Sequence, residues 1–482
     1  MTTDLQPWHW RSLPLESRTG SEVFDYLFRN TNTIATLLES PYPTPQDQPS
    51  PSSRYSLCAG MPRTYQGRHL MWTPAVGEIL PFLRRLLASR TERENFTSAP
   101  HHLPFTGGWL GWLGYDLAWE IEQLPCLNLD PLPFPVAFWY EPATFAVLDH
   151  SEQTLWLAAT SEAELDQLQK RLEQSSPIPH SPFPIPHSPF PTPHFLTSQA
   201  DYEAAVVQAK KYIQAGDIFQ ANLSQRFEVA TKSSSWAIYR ALQQINPSPF
   251  ASFWQTPWGD VISCSPERLV QLQGRSAQTR PIAGTRSRST TPAIDQQLAQ
   301  DLLANVKERA EHIMLVDLER NDLGRVCEWG SVEVDELFTI ERYSHVMHLV
   351  SNITGTLRAN CDAVDLIRAL FPGGTITGCP KVRCMEIIEE LESVRRSLFY
   401  GSCGYLDQRG NLDLNILIRT LLVGRGREQS SIFTQGSTHP ALNSVWGQVG
   451  AGIVADSDPE QEWYESLHKA QAQLAALTST QG

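Results

Sequence analysis

The chain has 482 residues, 41% apolar and 19% charged, enough for one large core or two to three domains. Its net charge of −14 argues against nucleic acid or an anionic membrane surface as the main partner, and leaves a small anionic substrate open. No run approaches the roughly 18 consecutive apolar residues of a membrane span.

The first residues, MTTDLQPWHWRSLPLES, are polar and lack the apolar core of a signal peptide. Eight cysteines without CxxC or zinc spacing read as reduced thiols in the cytoplasm, with Cys379 and Cys384 the closest pair. Residues 41–53, PYPTPQDQPSPSS, are too proline-dense for a helix or a sheet ladder and predict a solvated loop. Residues 175–195 hold a second such stretch, with IPHSPFP at 178–184 repeated at 185–191. It predicts a polyproline II spacer grown by duplication; a docking site for a proline-binding module is the sharper alternative. The spacer divides the chain into 1–174 and 196–482.

Beyond the spacer, residues 201–215 predict an amphipathic helix closed by Gly216. Residues 294–318 predict one continuous helix with Leu298, Leu302, Val306, Ala310 and Ile313 on its buried face. Residues 380–391 predict a helix with proline in its first turn. LNILIRTLLV and VWGQVGAGIV predict two strands joined by a long polar loop over 425–443. The last helix begins at Asp458-Pro459 and buries Trp463, Leu467, Ala470, Leu474 and Leu477. Strands in separate runs joined by helices point to an α+β fold.

Several groupings could carry chemistry. Glu308 and Glu311 share a helix face at i, i+3, and so do Glu462 and Glu465, with Lys469 further along. Oxygen-only ligands in small number suit Mg²⁺, but glutamates at this spacing are equally a solvated surface. The turn Phe371–Lys381, FPGGTITGCPK, opens directly into a helix and offers backbone N–H groups to an anion, or is only a tight turn. Glu267 stands beside the strand-like RLVQLQ, and a hairpin there would bring it to Ala283-Gly284-Thr285 as a general acid. Alternation from Tyr343 puts His348 and Val346 on one side and Met347 on the other. Arg419 in a strand would need an anion, and a carboxylate fits its fork. Gly450 and Gly452 allow close backbone approach.

Read together, these segments resemble the chorismate-utilising enzymes, which include component I of anthranilate synthase and of aminodeoxychorismate (para-aminobenzoate) synthase. The resemblance is carried by GDIFQANLSQRF (216–227), SPERLV (265–270), RPIAGTRSR (280–288), KERAEHIMLVDLERNDLGRV (307–326), YSHVMHLVS (343–351), FPGGTITGCPKVRCMEIIEELE (371–392), LDLNILIRT (412–420) and GAGIVADSDPEQEWYES (450–466). LLES (37–40), RYSL (54–57) and GGWLGWLGYDL (107–117) resemble the family's N-terminal region. The resemblance implies an anthranilate-synthase-like sandwich of two packed sheets with outer helices. It makes 1–174 the N-terminal region and 196–482 the chorismate-binding catalytic region.

It also implies roles. Glu311 and Glu465 would bind Mg²⁺ directly, and Glu308 and Glu462 through water. Glu267 would be the acid that helps the ring hydroxyl leave, and His348 the active-site histidine. Gly284, Thr285, Thr375, Arg419, Gly450, Gly452 and Lys469 would contact substrate. Where isochorismate and salicylate synthases carry a lysine base, this chain has Gln220, which favours amination over hydration. No glutaminase signature is present, so a separate glutamine amidotransferase subunit is expected to supply ammonia. Ala283 resembles anthranilate synthases, because many aminodeoxychorismate synthases have a nucleophilic lysine there. FPGGTITG, DLERND, Asn415 and Phe250-Ala251 lean to the aminodeoxychorismate branch, although Ser40 of LLES is present. The expectation is an aminodeoxychorismate synthase component I, with anthranilate synthase component I and a non-enzymatic scaffold as alternatives.

Overall fold

A computed structural model describes residues 7–29, 34–40, 54–89, 99–174, 192–343, 346–424 and 442–479. The proline-rich segments at 41–53 and 175–191 and the polar loop at 425–441 lie outside the described residues.

Two antiparallel sheets, of 12 and 10 strands, form the frame. The first runs from His9–Pro14 to Ala35–Glu39, which pairs with Phe250–Thr256, and on through Thr420–Gly424 and Asn443–Ile453 to Gln220–Thr231. In the second, Gly108–Leu113 pairs with Ser402–Asp407, and Ile282–Ser287 with Val346–Thr356. Each sheet therefore uses chain from both sides of the spacer.

The sheets face one another across an aromatic core. Trp112 of the second sheet meets Trp254 of the first edge-on, at 5.8 Å between ring centroids, and both are buried. The outer face of the first sheet is covered by helices Gly20–Leu27, Glu162–Glu173, Ser235–Ile245 and Pro459–Ser479, which bury Phe24, Leu165, Tyr239 and Leu477 against it. This is the expected α+β sandwich with outer helices.

Local chemistry sets the helix ends. Ser198 caps Gln199–Ala215, and Gly216 closes it at φ 82°, where a side chain would be strained. The Asp458 carboxylate receives the Gln461 N–H at 3.0 Å and opens Pro459–Ser479. The strands Thr420–Gly424 and Asn443–Ile453 pair antiparallel, with Leu421 opposite Gly447.

Three expectations are corrected. The helix expected over 294–318 is two, Pro292–Ala304 and Val306–Gly324. Asn305 breaks it, because its side chain accepts the Glu308 N–H at 3.0 Å and so starts a new helix. The expected stripe stops there, with Val306 80% and Ile313 47% exposed. Arg419 is not in a strand: it sits at φ 50°, and the strand begins at Thr420. Pro380 lies at the cap, outside the first turn of Lys381–Leu391, so that helix begins one residue late.

Behind the glycine-rich turn a buried ion pair joins three elements. Arg396 donates to Glu392 at 2.6 Å, to the Ile376 carbonyl at 2.7 Å and to the Asn222 carbonyl at 2.7 Å. Glu392 in turn accepts the Ser224 N–H and hydroxyl, each at 2.8 Å. Removing one charge strands the other in the core. Glu392→Gln is expected to cost about 3–5 kcal/mol of stability, measured as a shift of the denaturant midpoint.

Candidate active site

A cleft of about 570 Å³ opens where the two sheets meet under the Val306–Gly324 and Pro459–Ser479 helices. All thirteen residues expected at the site line it: Glu267, Gly284, Thr285, Glu308, Glu311, His348, Thr375, Arg419, Gly450, Gly452, Glu462, Glu465 and Lys469. Ala283 and Gln220 line it as well.

The hairpin after Glu267 forms as expected. Arg268–Gln273 pairs with Ser276–Arg280, and the chain turns into Ile282–Ser287, whose first N–H donates to Glu267 Oε1 at 3.4 Å. Burial pushes the Glu267 carboxyl up to about 8; the Thr375 hydroxyl, the Ile282 N–H and Arg419 oppose the rise, and Glu319 adds to it. At neutral pH Glu267 therefore holds a proton, as a general acid must. On the facing strand, His348 Nδ1 lies 2.9 Å from the Thr285 hydroxyl. Burial, helped by Arg419, lowers the His348 imidazole to about 3, so it is neutral. Met347 points the opposite way, into the cluster of Ala299, Leu302 and Leu349.

Arg419 donates to the neutral Asn246 side chain at 2.8 Å. Among the described residues no carboxylate lies within 4.0 Å of it, so beyond the Asn246 bond its guanidinium has no anionic partner there. The glycines make room. A methyl at Gly450 would come within 2.4 Å of the Leu223 carbonyl, and one at Gly452 within 2.5 Å of the Gln220 amide. Gly284, at φ 53°, lies where a methyl would strike Glu308 at 2.5 Å.

The carboxylates enter from two helices. Glu308 pairs with Arg286 at 2.8 Å, Glu311 faces Lys307 at 3.9 Å, and Glu465 pairs with Lys469 at 2.9 Å. Lys469 also donates to the Gly450 carbonyl at 3.0 Å. Burial raises the pKa of Glu311 and of Glu462, and the neighbouring glutamates add to both shifts. Glu308 Oε2 and Glu462 Oε2 are buried without a protein hydrogen-bond partner. Crowded carboxylates with orphaned oxygens fit a hard divalent cation. Among the described residues no three His, Cys, Asp or Glu side chains are grouped closely enough to hold a metal ion, and Arg286, Lys307 and Lys469 engage three of the four glutamates.

The expected site residues did not include Asn222, Arg286, Tyr400 or Gln448, which also line the cleft. The signal for one of them, Asn222, is period 2 in the sequence. Gln220, Asn222, Ser224 and Arg226 alternate with Ala221, Leu223, Gln225 and Phe227, which puts a wholly polar row on one face of a buried strand and a mostly apolar one on the other. Gln448, the buried polar side chain of the Asn443–Ile453 strand, binds that row: it donates to Ser224 at 2.7 Å and accepts from Arg226 at 3.1 Å. Gln220 Oε1 and Asn222 Oδ1 are buried with no protein partner.

A second cavity, of about 120 Å³, lies between the sheets and shares no residue with the cleft. Ser40, Phe250, Ala251 and Asn415 line it. None of the eight cysteines is in a disulfide, and no described helix is long and apolar enough to cross a membrane.

The family model for chorismate binding enzymes matches residues 47–475. The chain belongs to the chorismate binding enzyme family. It is 61% identical to an anthranilate synthase component I-like protein of Synechocystis, over 98% of this chain and 93% of that one. It is 44% identical to the aminodeoxychorismate synthase component 1 of Bacillus subtilis, over 79% of each. Against the anthranilate synthase component 1 of the same Synechocystis strain it is 40% identical, over 78% of this chain and 77% of that one. The crystal structure of anthranilate synthase component I from Streptococcus pneumoniae superposes with a TM-score of 0.70 at 30% identity, covering 90% of this chain and 95% of that one.

In this family member the buried acid has a cost that pH reveals. Glu267 binds its proton more tightly folded, at about 8, than unfolded, near 4.5. The folded state therefore loses stability as pH rises through that window. Glu267→Gln is expected to be more stable than the parent above pH 8, by on the order of a few kcal/mol, with the gap closing towards pH 4.5. Denaturant unfolding of both chains across this range measures it.

Proposed function

We propose that the chain is the chorismate-binding subunit of an aminodeoxychorismate synthase. It replaces the ring hydroxyl of chorismate with ammonia to give 4-amino-4-deoxychorismate, and a separate glutamine amidotransferase subunit supplies the ammonia. One observation carries this reading: the cleft joins a proton-holding Glu267 to neutral amides at Gln220 and Asn222. An amide cannot deprotonate water, but ammonia needs no base to act as a nucleophile. The orphaned oxygens of Gln220 and Asn222 accept the N–H groups that ammonia brings.

The same reading assigns the remaining roles. Arg419 takes the enolpyruvyl carboxylate. Glu267 protonates the departing hydroxyl, so the leaving group is water. His348, neutral and tied to Thr285, offers a hydrogen bond without adding charge beside the acid. Glu308, Glu311, Glu462 and Glu465 would hold Mg²⁺. When bound, the ion supplies Lewis-acid neutralisation of the ring carboxylate. Ala283 carries no amine, so a covalent lysyl intermediate cannot form at that residue.

The identities support a role separate from tryptophan synthesis. The chain stands closer to the anthranilate synthase-like protein of Synechocystis than to that organism's anthranilate synthase component 1. Ala283 favours a second reading, anthranilate synthase component I, in which amination is followed by loss of pyruvate.

Purified protein given chorismate, Mg²⁺ and an ammonium salt separates the two readings. The expected result is no fluorescent anthranilate, and p-aminobenzoate once an aminodeoxychorismate lyase is added. Anthranilate as the product overturns the first reading. Glu465→Gln is expected to abolish Mg²⁺-dependent turnover, and retained activity would refute the metal assignment.

A further inference from the structure

The segment from Leu370 to Lys381 leaves one helix, passes the cleft at Thr375 and enters another. Three buried ionisable groups hold its back, and none of them lines the cleft. Glu319, on the Val306–Gly324 helix, accepts the Gly374 N–H at 3.4 Å and the Thr279 hydroxyl at 3.2 Å. Asp322, almost one turn further on, pairs with the Lys381 ammonium at 2.5 Å. The same ammonium donates to the Leu370 carbonyl at 2.9 Å, the end of the Ala363–Leu370 helix, where a cation is favoured. A methyl at Gly374 would come within 2.5 Å of Leu318 and 3.2 Å of Glu319, so the turn rests directly on the helix. Its other side is tied to Asn222, whose N–H donates to the Thr377 carbonyl at 2.9 Å.

We propose that Glu319, backed by the Asp322–Lys381 pair, is a positioning residue that holds the turn so that Thr375 stands against Glu267. The inference rests on the reading of Glu267 as the acid. One helix then registers both ends of the site, because its first half carries Glu308 and Glu311 and its second half anchors the turn. Charge acts in the same direction. Glu319 faces Glu267 and favours its protonated form, whereas Arg419 opposes it; Asp322 and Lys381 are the charged groups that face Glu319 itself. Without the Glu319 charge, Glu267 gives up its proton at lower pH.

Two conservative variants of the full chain, Glu319→Gln and Glu319→Asp, separate charge from reach. Turnover with chorismate, Mg²⁺ and an ammonium salt is followed from about pH 6 to pH 10. Glu319→Gln is expected to move the alkaline limb of kcat to lower pH, with the KM for chorismate within about twofold of the parent. Glu319→Asp keeps the charge but withdraws it from Gly374, so kcat falls about 10- to 100-fold with the limb unmoved. Parental kcat and an unmoved limb in both variants overturn the proposal. Glu267→Gln is run beside them. If it keeps full turnover, the acid assignment falls and this inference with it; if it is inactive while both Glu319 variants match the parent, this inference alone falls.

Discussion

Burying one carboxyl group, Glu267, where desolvation outweighs the Thr375 hydroxyl, the Ile282 N–H and Arg419, constrains everything around it. A protonated acid survives at neutral pH only if burial and negative neighbours outweigh the cations and hydrogen-bond donors around it. The cleft meets that condition at one end: His348 is held uncharged, Thr375 offers a hydroxyl, and Gln220 and Asn222 are amides. Apart from Arg419, the full charges of the lining are Glu308, Glu311, Glu462 and Glu465 with Arg286, Lys307 and Lys469. Two electrostatic regimes in one cavity need separate supports. The acid hangs from the second sheet, and the carboxylate cluster from two helices.

Much of this was legible from residue order. Paired glutamates at i, i+3 can face one way only, and Asp458-Pro459 and Gly216 mark helix ends by their own chemistry. Glu267 could be placed near Gly284 because a short hairpin leaves little freedom. Other features were not legible because periodicity does not carry them. Leu298 and Leu302 continue smoothly into Val306, and only the side chain of Asn305 shows that the helix restarts. Arg419 sits in a run of apolar residues that reads as strand, yet its φ of 50° belongs to a bend that aims it into the cleft. The sharing of both sheets by residues on either side of 175–191 is a long-range pairing with no local signature.

Glycine is where local and functional demands coincide. At Gly450 and Gly452 a side chain would collide with the Leu223 carbonyl and the Gln220 amide, so these positions keep the strand flat beneath the polar row. Gly374 does the same for the turn against Leu318. Such contacts transmit position without charge, which suits a site whose acid must remain protonated.

In the proposed amination, the nucleophile is set by what is missing as much as by what is present. A lysine at position 283 would place an amine beside Glu267's hairpin and carry a covalent route; alanine leaves only space. A lysine at position 220 would activate water; glutamine offers an acceptor with no basicity. With both amines absent from these two positions, selectivity has to come from hydrogen-bond polarity. Orphaned amide oxygens reward a ligand with N–H donors and give ammonia several orientations in which to satisfy them. Water can donate to the same oxygens, but it still needs a base before it attacks, and neither amide provides one. The net charge of −14 contributes nothing to this choice, since the charges that matter are the four glutamates, already partly offset by Arg286, Lys307 and Lys469.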